Sequence, residues 1–238
     1  MSDPLNLKKY VRTVKNFPID GIVFRDITSL IETPKAFVKT CDELTKITRE
    51  FNADIVASIE SRGFIFAGTI ARDLSLPFVL ARKPGKLPNK TYKKSFDLEY
   101  GSTSIEIQKN TDINKNHRII IVDDLVATGG TAIACAELFT ENFNIQKSNI
   151  LILSVIDLPF LGGSELIVKK GYQVNTTRFL IAWFLLFFIP IVVLLPIYVE
   201  EKAWIRSNDI DSGVGEWSLF AFIVGYPSLF VIFYSVFL

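Results

Sequence analysis

Two cysteines and a single histidine occur in 238 residues, so the side chains most used for disulfides and metal knuckles are nearly missing. Cys41 and Cys135 fall in separate, half-apolar, helix-like stretches. That placement excludes a disulfide framework or a zinc knuckle and leaves two buried or idle thiols, as expected in a reducing compartment. His117 follows the polar run Asn114-Lys115-Asn116 with no flanking carboxylate or second ligand, which reads as a surface turn. Charge of one sign is also lacking: 26 Lys and Arg stand against 25 Asp and Glu, and no helix carries a basic stripe. Nucleic acid is therefore not an expected partner. Neither Gly-x-x-x-x-Gly-Lys-Ser/Thr nor Gly-x-Gly-x-x-Gly occurs, which argues against a nucleoside triphosphatase or a dinucleotide reader. Residues 5–14 are too polar for the apolar core of a signal peptide, so none is expected. The first part of the chain has no internal repeat and no low-complexity tract.

What is present is concentrated in Ile119-Ile120-Ile121-Val122-Asp123-Asp124-Leu125-Val126-Ala127-Thr128-Gly129-Gly130-Thr131. Ile119 to Val122 read as a buried, parallel strand, and the stretch from Thr131 to Asn142 as a helix. Gly129 and Gly130 let the backbone between them approach a ligand closely, while the unpaired N–H groups of the helix start point at it. A phosphate fits that place, with the hydroxyls of Thr128 and Thr131 as added donors. Two adjacent acids do not suit a bare phosphate site. Asp123 and Asp124 are better matched to ribose hydroxyls, or through them to magnesium.

Further strands are expected at 55–59, 78–81 and 150–156, with helices around 36–51 and 65–74. This alternation predicts an α/β domain with a mostly parallel sheet, and about 170 residues suffice for one sizeable core. Lysines 83, 86, 90, 93 and 94 cluster beside Pro84, Gly85 and Pro88, which reads as a mobile lid carrying cations over a polyphosphate.

The run around Asp123 and Asp124 resembles the 5-phosphoribosyl-1-pyrophosphate motif of type I phosphoribosyltransferases. Five more segments stand in the order and approximate spacing of the adenine phosphoribosyltransferases. They are Val23-Phe24-Arg25-Asp26-Ile27, Glu60-Ser61-Arg62-Gly63-Phe64, Arg82 to Pro88, Leu98-Glu99-Tyr100-Gly101 and Asp157 to Gly163. The resemblance spans residues 7–174 and implies the type I phosphoribosyltransferase fold, with the central sheet flanked by helices.

The activity so implied is displacement of pyrophosphate from the ribose by adenine, giving AMP. By the resemblance, Ala127, Thr128, Gly129, Gly130 and Thr131 would cradle the 5-phosphate, and Asp123 and Asp124 would face the ribose. Ser61, Arg62 and Gly63 would form the pyrophosphate loop, with Arg82 and Lys86 adding charge. Glu99 would move the purine proton and Tyr100 would close over the site. Val23, Phe24 and Arg25 would contact adenine between apolar walls at Leu125 and Leu158. Glu99, Asp123, Asp124 and Arg62 are the implied catalytic set. Magnesium would be carried mainly by the substrate, and a homodimer is implied because the family's equivalent of Arg82 often comes from a neighbouring subunit. A non-catalytic purine or phosphoribosyl-pyrophosphate sensor, a transferase for another purine base, and a membrane protein whose cytosolic domain only assembles remain alternatives.

From residue 175 the chain changes character. Residues 179–199 and 217–238 are almost unbroken apolar runs, each long enough for a bilayer core of about 30 Å. Pro190, Pro196 and Pro227 interrupt them as transmembrane helices tolerate, and Trp183, Tyr198, Trp204 and Trp217 lie at or near the ends. The expectation is a phosphoribosyltransferase domain over 1–174 and an extension over 175–238 bearing a two-helix membrane hairpin. Lys169, Lys170 and Arg178 precede the first run, whereas the loop between the runs offers only Lys202 and Arg206. That bias places the enzyme domain in the cytoplasm. The extension departs from the resembled family. The strand beginning at Val174 is expected to break off there, and a natural anchor, a fused foreign segment and a decayed gene copy all fit the junction.

Overall fold

A computed structural model describes residues 6–17, 20, 23–97 and 102–176 of the chain. The elements are β1 (Arg12–Lys15), β2 (Val23–Asp26), α1 (Thr28–Glu32), α2 (Pro34–Glu50), β3 (Ile55–Ile59), α3 (Gly63–Leu74) and β4 (Phe78–Ala81). They continue with β5 (Thr91–Asp97), β6 (Ser102–Gln108), β7 (Ile119–Val126), α4 (Gly130–Phe143), β8 (Ile150–Asp157), α5 (Gly163–Lys169) and β9 (Gln173–Thr176).

Five strands form a wholly parallel sheet in the order β4-β3-β7-β8-β9. Its central strands β3, β7 and β8 are rich in Ile, Val and Leu because both faces are covered. Alternate side chains divide the core in two. Ile55, Ala57, Ile119, Ile121, Ile150 and Ile152 pack with Phe139 of α4, Ile107 of β6 and Ile167 of α5. Val56, Ile120, Val122, Leu151 and Leu153 pack with Leu44 of α2 and with Phe66 and Ile70 of α3. Two small antiparallel pairs, β1–β2 and β5–β6, complete the described fold.

Helix α2 starts where Thr33 is extended before Pro34, whose missing N–H costs nothing in the first turn. Its buried Thr40 and Thr48 hydroxyls donate to the carbonyls of Ala36 and Leu44, so neither is left unpaired. The strands and helices expected between residues 36 and 156 are all present, with ends shifted by a few residues.

Three expectations are corrected. The strand ending at Val122 in the sequence reading continues to Val126, because the ladder with β8 pairs Leu125 with Ile156 and Val126 with Asp157. The acid pair thus stands inside a strand. The strand expected to break off after Val174 runs to Thr176, with Asn175 and Thr176 paired to Leu153 and Ser154. Hydrogen bonding to a neighbouring strand outweighs the polar character of those residues. The lysine stretch is not wholly a lid. Lys93 and Lys94 belong to β5, and Lys94 Nζ lies 2.9 Å from Glu137 and 2.5 Å from Glu141, both on α4.

Among the described residues no helix is long and apolar enough to cross a membrane. The runs 179–199 and 217–238 lie outside them.

Candidate active site

At the carboxyl ends of β3 and β7 a cleft of about 440 Å³ opens between the sheet and the β5–β6 hairpin. Parallel sheets place ligand sites at this edge. Asp123, Asp124, Leu125 and Thr131 line one wall, Glu60, Ser61, Arg62 and Lys83 another, and Phe96, Thr103 and Ile105 come from the hairpin.

Arg62 and the acid pair form the centre. Arg62 Nε lies 2.8 Å from Asp124 Oδ2, and that carboxylate is only 9% exposed. The Arg62 guanidinium also sits 5.3 Å from the centre of the Phe24 ring, which links β2 to the cleft. Asp123 Oδ1 accepts a hydrogen bond from the Asp124 backbone N–H at 2.9 Å. Burial pushes the Asp123 carboxyl well above the ordinary carboxylate range, and the neighbouring charge of Asp124 pushes it further. A guanidinium thus lies against one carboxylate, while its buried neighbour Asp123 retains a proton more readily than an ordinary aspartate.

Close backbone approach explains why glycines stand at the loop ends. A Cβ on Gly63 would lie 2.7 Å from Ser58 Oγ and 2.8 Å from the Val122 carbonyl, which Ser58 itself bonds at 2.7 Å. Gly63 therefore lets the Ser61–Gly63 turn lie directly on β7. The Glu60–Ser61 peptide in this turn is cis. Gly129, with φ of +80°, turns the chain from β7 into α4 and faces Gly163 at the start of α5. The first N–H groups of α4 then have no intrahelical acceptor and stand beside Thr131 at the cleft.

A family model for a phosphoribosyl transferase domain matches residues 28–157. Adenine phosphoribosyltransferase from Pelagibacter ubique is 43% identical over 174 residues, covering 72% of this chain and 95% of that protein. The chain belongs to the adenine phosphoribosyltransferase family. The solved adenine phosphoribosyltransferase of Thermoanaerobacter pseudethanolicus is 38% identical with a TM-score of 0.65, over 71% of this chain and 95% of that one. The Giardia lamblia enzyme, crystallised with 9-deazaadenine, is 33% identical with a TM-score of 0.67, over 71% and 93%. The type I phosphoribosyltransferase fold expected from the sequence is thereby established.

Of the residues that resemblance to the adenine phosphoribosyltransferases marked out, the structure brings Ser61, Arg62, Asp123, Asp124, Leu125 and Thr131 to the cleft wall. Gly63, Ala127, Thr128, Gly129 and Gly130 form the adjoining turns. Arg82 and Lys86 stand one step back: Arg82 bonds Glu60 and the Lys86 carbonyl, and Lys83 lines the cleft instead. Val23 is half exposed, Arg25 bonds Thr13, and Leu158 packs against the core; none of the three is in the lining. Glu99 and Tyr100 lie outside the described residues.

Sequence reasoning missed Glu60 and the hairpin residues of this adenine phosphoribosyltransferase-family cleft. Glu60 was adjacent to the recognised loop, and its proximity to Arg82 depends on strand pairing between β3 and β4. The alternation Thr103, Ile105, Ile107 was the available signal for β6.

Proposed function

We propose that this chain is an adenine phosphoribosyltransferase, joining adenine to 5-phosphoribosyl-1-pyrophosphate to give AMP and pyrophosphate. The observation that carries the reading is the Arg62–Asp124 pair, 2.8 Å apart, joining a diphosphate-loop candidate to a ribose-site candidate within one cleft.

N9 of adenine forms its bond to C1 of the ribose as the bond from C1 to the pyrophosphate oxygen breaks, and the electron pair leaves with pyrophosphate. Such a displacement develops positive charge on the ring, so the protein needs no nucleophile; alignment and electrostatics suffice. Asp124, paired with Arg62, faces that charge. The N–H groups at the start of α4, with Thr128 and Thr131, hold the 5-phosphate. Ser61, Arg62 and Lys83 meet the departing pyrophosphate, and Glu99 is the candidate for the purine proton.

Among the described residues no group of three or more His, Cys, Asp or Glu is placed to hold a metal. Asp124 is already engaged by Arg62, so the two acids fit an ion brought by the substrate and touched at its edge. Magnesium favours such sites, keeping substrate oxygens and water as ligands, and would there neutralise the leaving group.

A second copy of the chain is the proposed partner. Phe78 and Leu80 on the edge strand β4, with Ile65 on α3, are exposed apolar side chains suited to that contact. The runs 179–199 and 217–238 are proposed as a membrane hairpin with the transferase domain on the cytoplasmic side, supported by the charge bias around the first run.

The test expresses the full chain in a host lacking adenine salvage and separates membranes from supernatant. Each fraction is then assayed for AMP from adenine, magnesium and phosphoribosyl pyrophosphate, with hypoxanthine and guanine as rival bases. AMP formation in the membrane fraction, with little use of the rival bases, is expected. Protein that makes no nucleotide from any base would overturn the transferase reading, and activity confined to the supernatant would overturn the anchor.

A further inference from the structure

Glu60 accepts more hydrogen bonds than any role as a loop spacer requires. It follows the last residue of β3 and opens the turn through Ser61–Gly63, and its carboxylate takes Arg82 Nε at 3.2 Å and Arg82 Nη2 at 3.2 Å. The backbone N–H of Lys83 reaches the same group at 3.1 Å. Arg82 Nη1 donates in turn to the Lys86 carbonyl at 3.0 Å, and the Gly85 N–H reaches Glu106 at 3.4 Å. Backbone bonds between Arg82 and Glu106, 2.9 and 2.7 Å long, close the other side. The turn from Arg82 to Lys86 is therefore held on the cleft side by the Glu60 carboxylate and on the β6 side by Glu106.

A bare acid at this wall would repel a diphosphate. Here the guanidinium offsets its charge, and hydrogen bonding to Arg82 pulls the Glu60 carboxyl below its ordinary range. Side-on engagement uses three of the five guanidinium N–H groups, counting the Lys86 bond, and leaves one on each terminal nitrogen. The carboxylate also fixes the backbone from which Lys83 enters the cleft.

We infer that Glu60 is a positioning residue for the leaving group, setting the Arg82–Lys86 turn in the geometry that receives pyrophosphate and acting through Arg82 and Lys83. This rests on the transferase reading of the same cleft. A latch that merely withheld Arg82 would have the opposite sign, since cutting it would tighten binding.

The test compares the full wild-type chain with Glu60→Gln, Glu60→Ala, Arg82→Ala and the Glu60→Ala/Arg82→Ala double variant. Losing charge-assisted hydrogen bonds predicts that Glu60→Ala raises KM for phosphoribosyl pyrophosphate about tenfold, and Glu60→Gln less. KM for adenine should stay within about twofold, and adding Glu60→Ala to Arg82→Ala should change KM by less than about twofold, because coupled residues are not additive. A lowered KM in Glu60→Ala would overturn the inference. So would an equal rise for both substrates, or full additivity with Arg82→Ala. If the wild type makes no AMP, the transferase reading fails by itself; calorimetric binding of inorganic pyrophosphate to the same proteins then decides the Glu60 role, through the same loss and the same non-additivity. Glu60→Gln carries the comparison if the alanine variant does not fold.

Discussion

Gly163 and Ala127 lie so close that a Cβ on Gly163 would stand 2.1 Å from the Ala127 carbonyl oxygen and 2.8 Å from the Gly129 nitrogen. The start of α5 is thus a backstop for the phosphate turn. Gly163→Ala must displace backbone, which overpacking measurements place at about 1–3 kcal/mol. The expected outcome is a raised KM for phosphoribosyl pyrophosphate with a lowered unfolding midpoint. Gly68, where an added Cβ meets nothing within 4 Å, is the matched control. Gly68→Ala in the interior of α3 should leave KM unchanged and stabilise by up to about 1 kcal/mol. Steady-state kinetics and thermal unfolding of both variants check this, and an unchanged Gly163→Ala enzyme would refute the backstop.

Lys94 separates a structural from a catalytic use of the lysine cluster. Its ammonium is clamped by Glu141 and Glu137, which hold it charged to a higher pH than usual. Ion pairs at partly exposed sites contribute about 0.2–1 kcal/mol and weaken with salt. Lys94→Met should lower stability by that amount at low ionic strength and by less at high. It should leave KM for phosphoribosyl pyrophosphate unchanged, whereas Lys83→Met should raise it. A KM rise for Lys94→Met would restore this lysine to the substrate site.

The thiols should be inert in the folded protein. Burial pushes Cys41 to about 11 and raises Cys135 further, so neither supplies the reactive thiolate near neutrality. Titration with a thiol reagent at pH 8 is expected to find no fast-reacting cysteine natively and two in denaturant. Rapid modification of Cys135 in the native state would contradict its place in the core.

The parallel core was legible in the sequence because Ile119–Val122 and Ile150–Ile156 are buried on both faces and read as apolar runs, interrupted only by the buried Ser154. The β5–β6 hairpin was not: Lys93 and Lys94 interrupt the alternation, and one of them finds its partners on α4, far away in sequence. The phosphate turn and the acid pair were legible from local chemistry. Glu60 was not, since its role depends on Arg82 being brought beside it when β3 and β4 pair in parallel. Local motifs thus announced the groups that face substrate, and tertiary pairing decided which groups hold them.

Asp123 carries a pH prediction whose sign follows from its burial. Its carboxyl titrates well above the ordinary range when folded, so the folded state binds more protons than the unfolded chain between the two pKa values. Stability then falls as pH rises from about 4 through the raised value, by linkage. Below about 4 both states are protonated and the penalty vanishes. Asp123→Asn removes an ionisation that burial opposes while keeping the side chain's shape. The variant should be more stable than the wild type at pH 7 and indistinguishable from it near pH 3.5, while turnover falls by orders of magnitude. Asp124→Asn should also lose turnover but gain no stability, because it strips Arg62 of its partner. Unfolding midpoints measured across this range for both variants check the assignment. A stability gain for Asp124→Asn with none for Asp123→Asn would reverse the roles of the two acids.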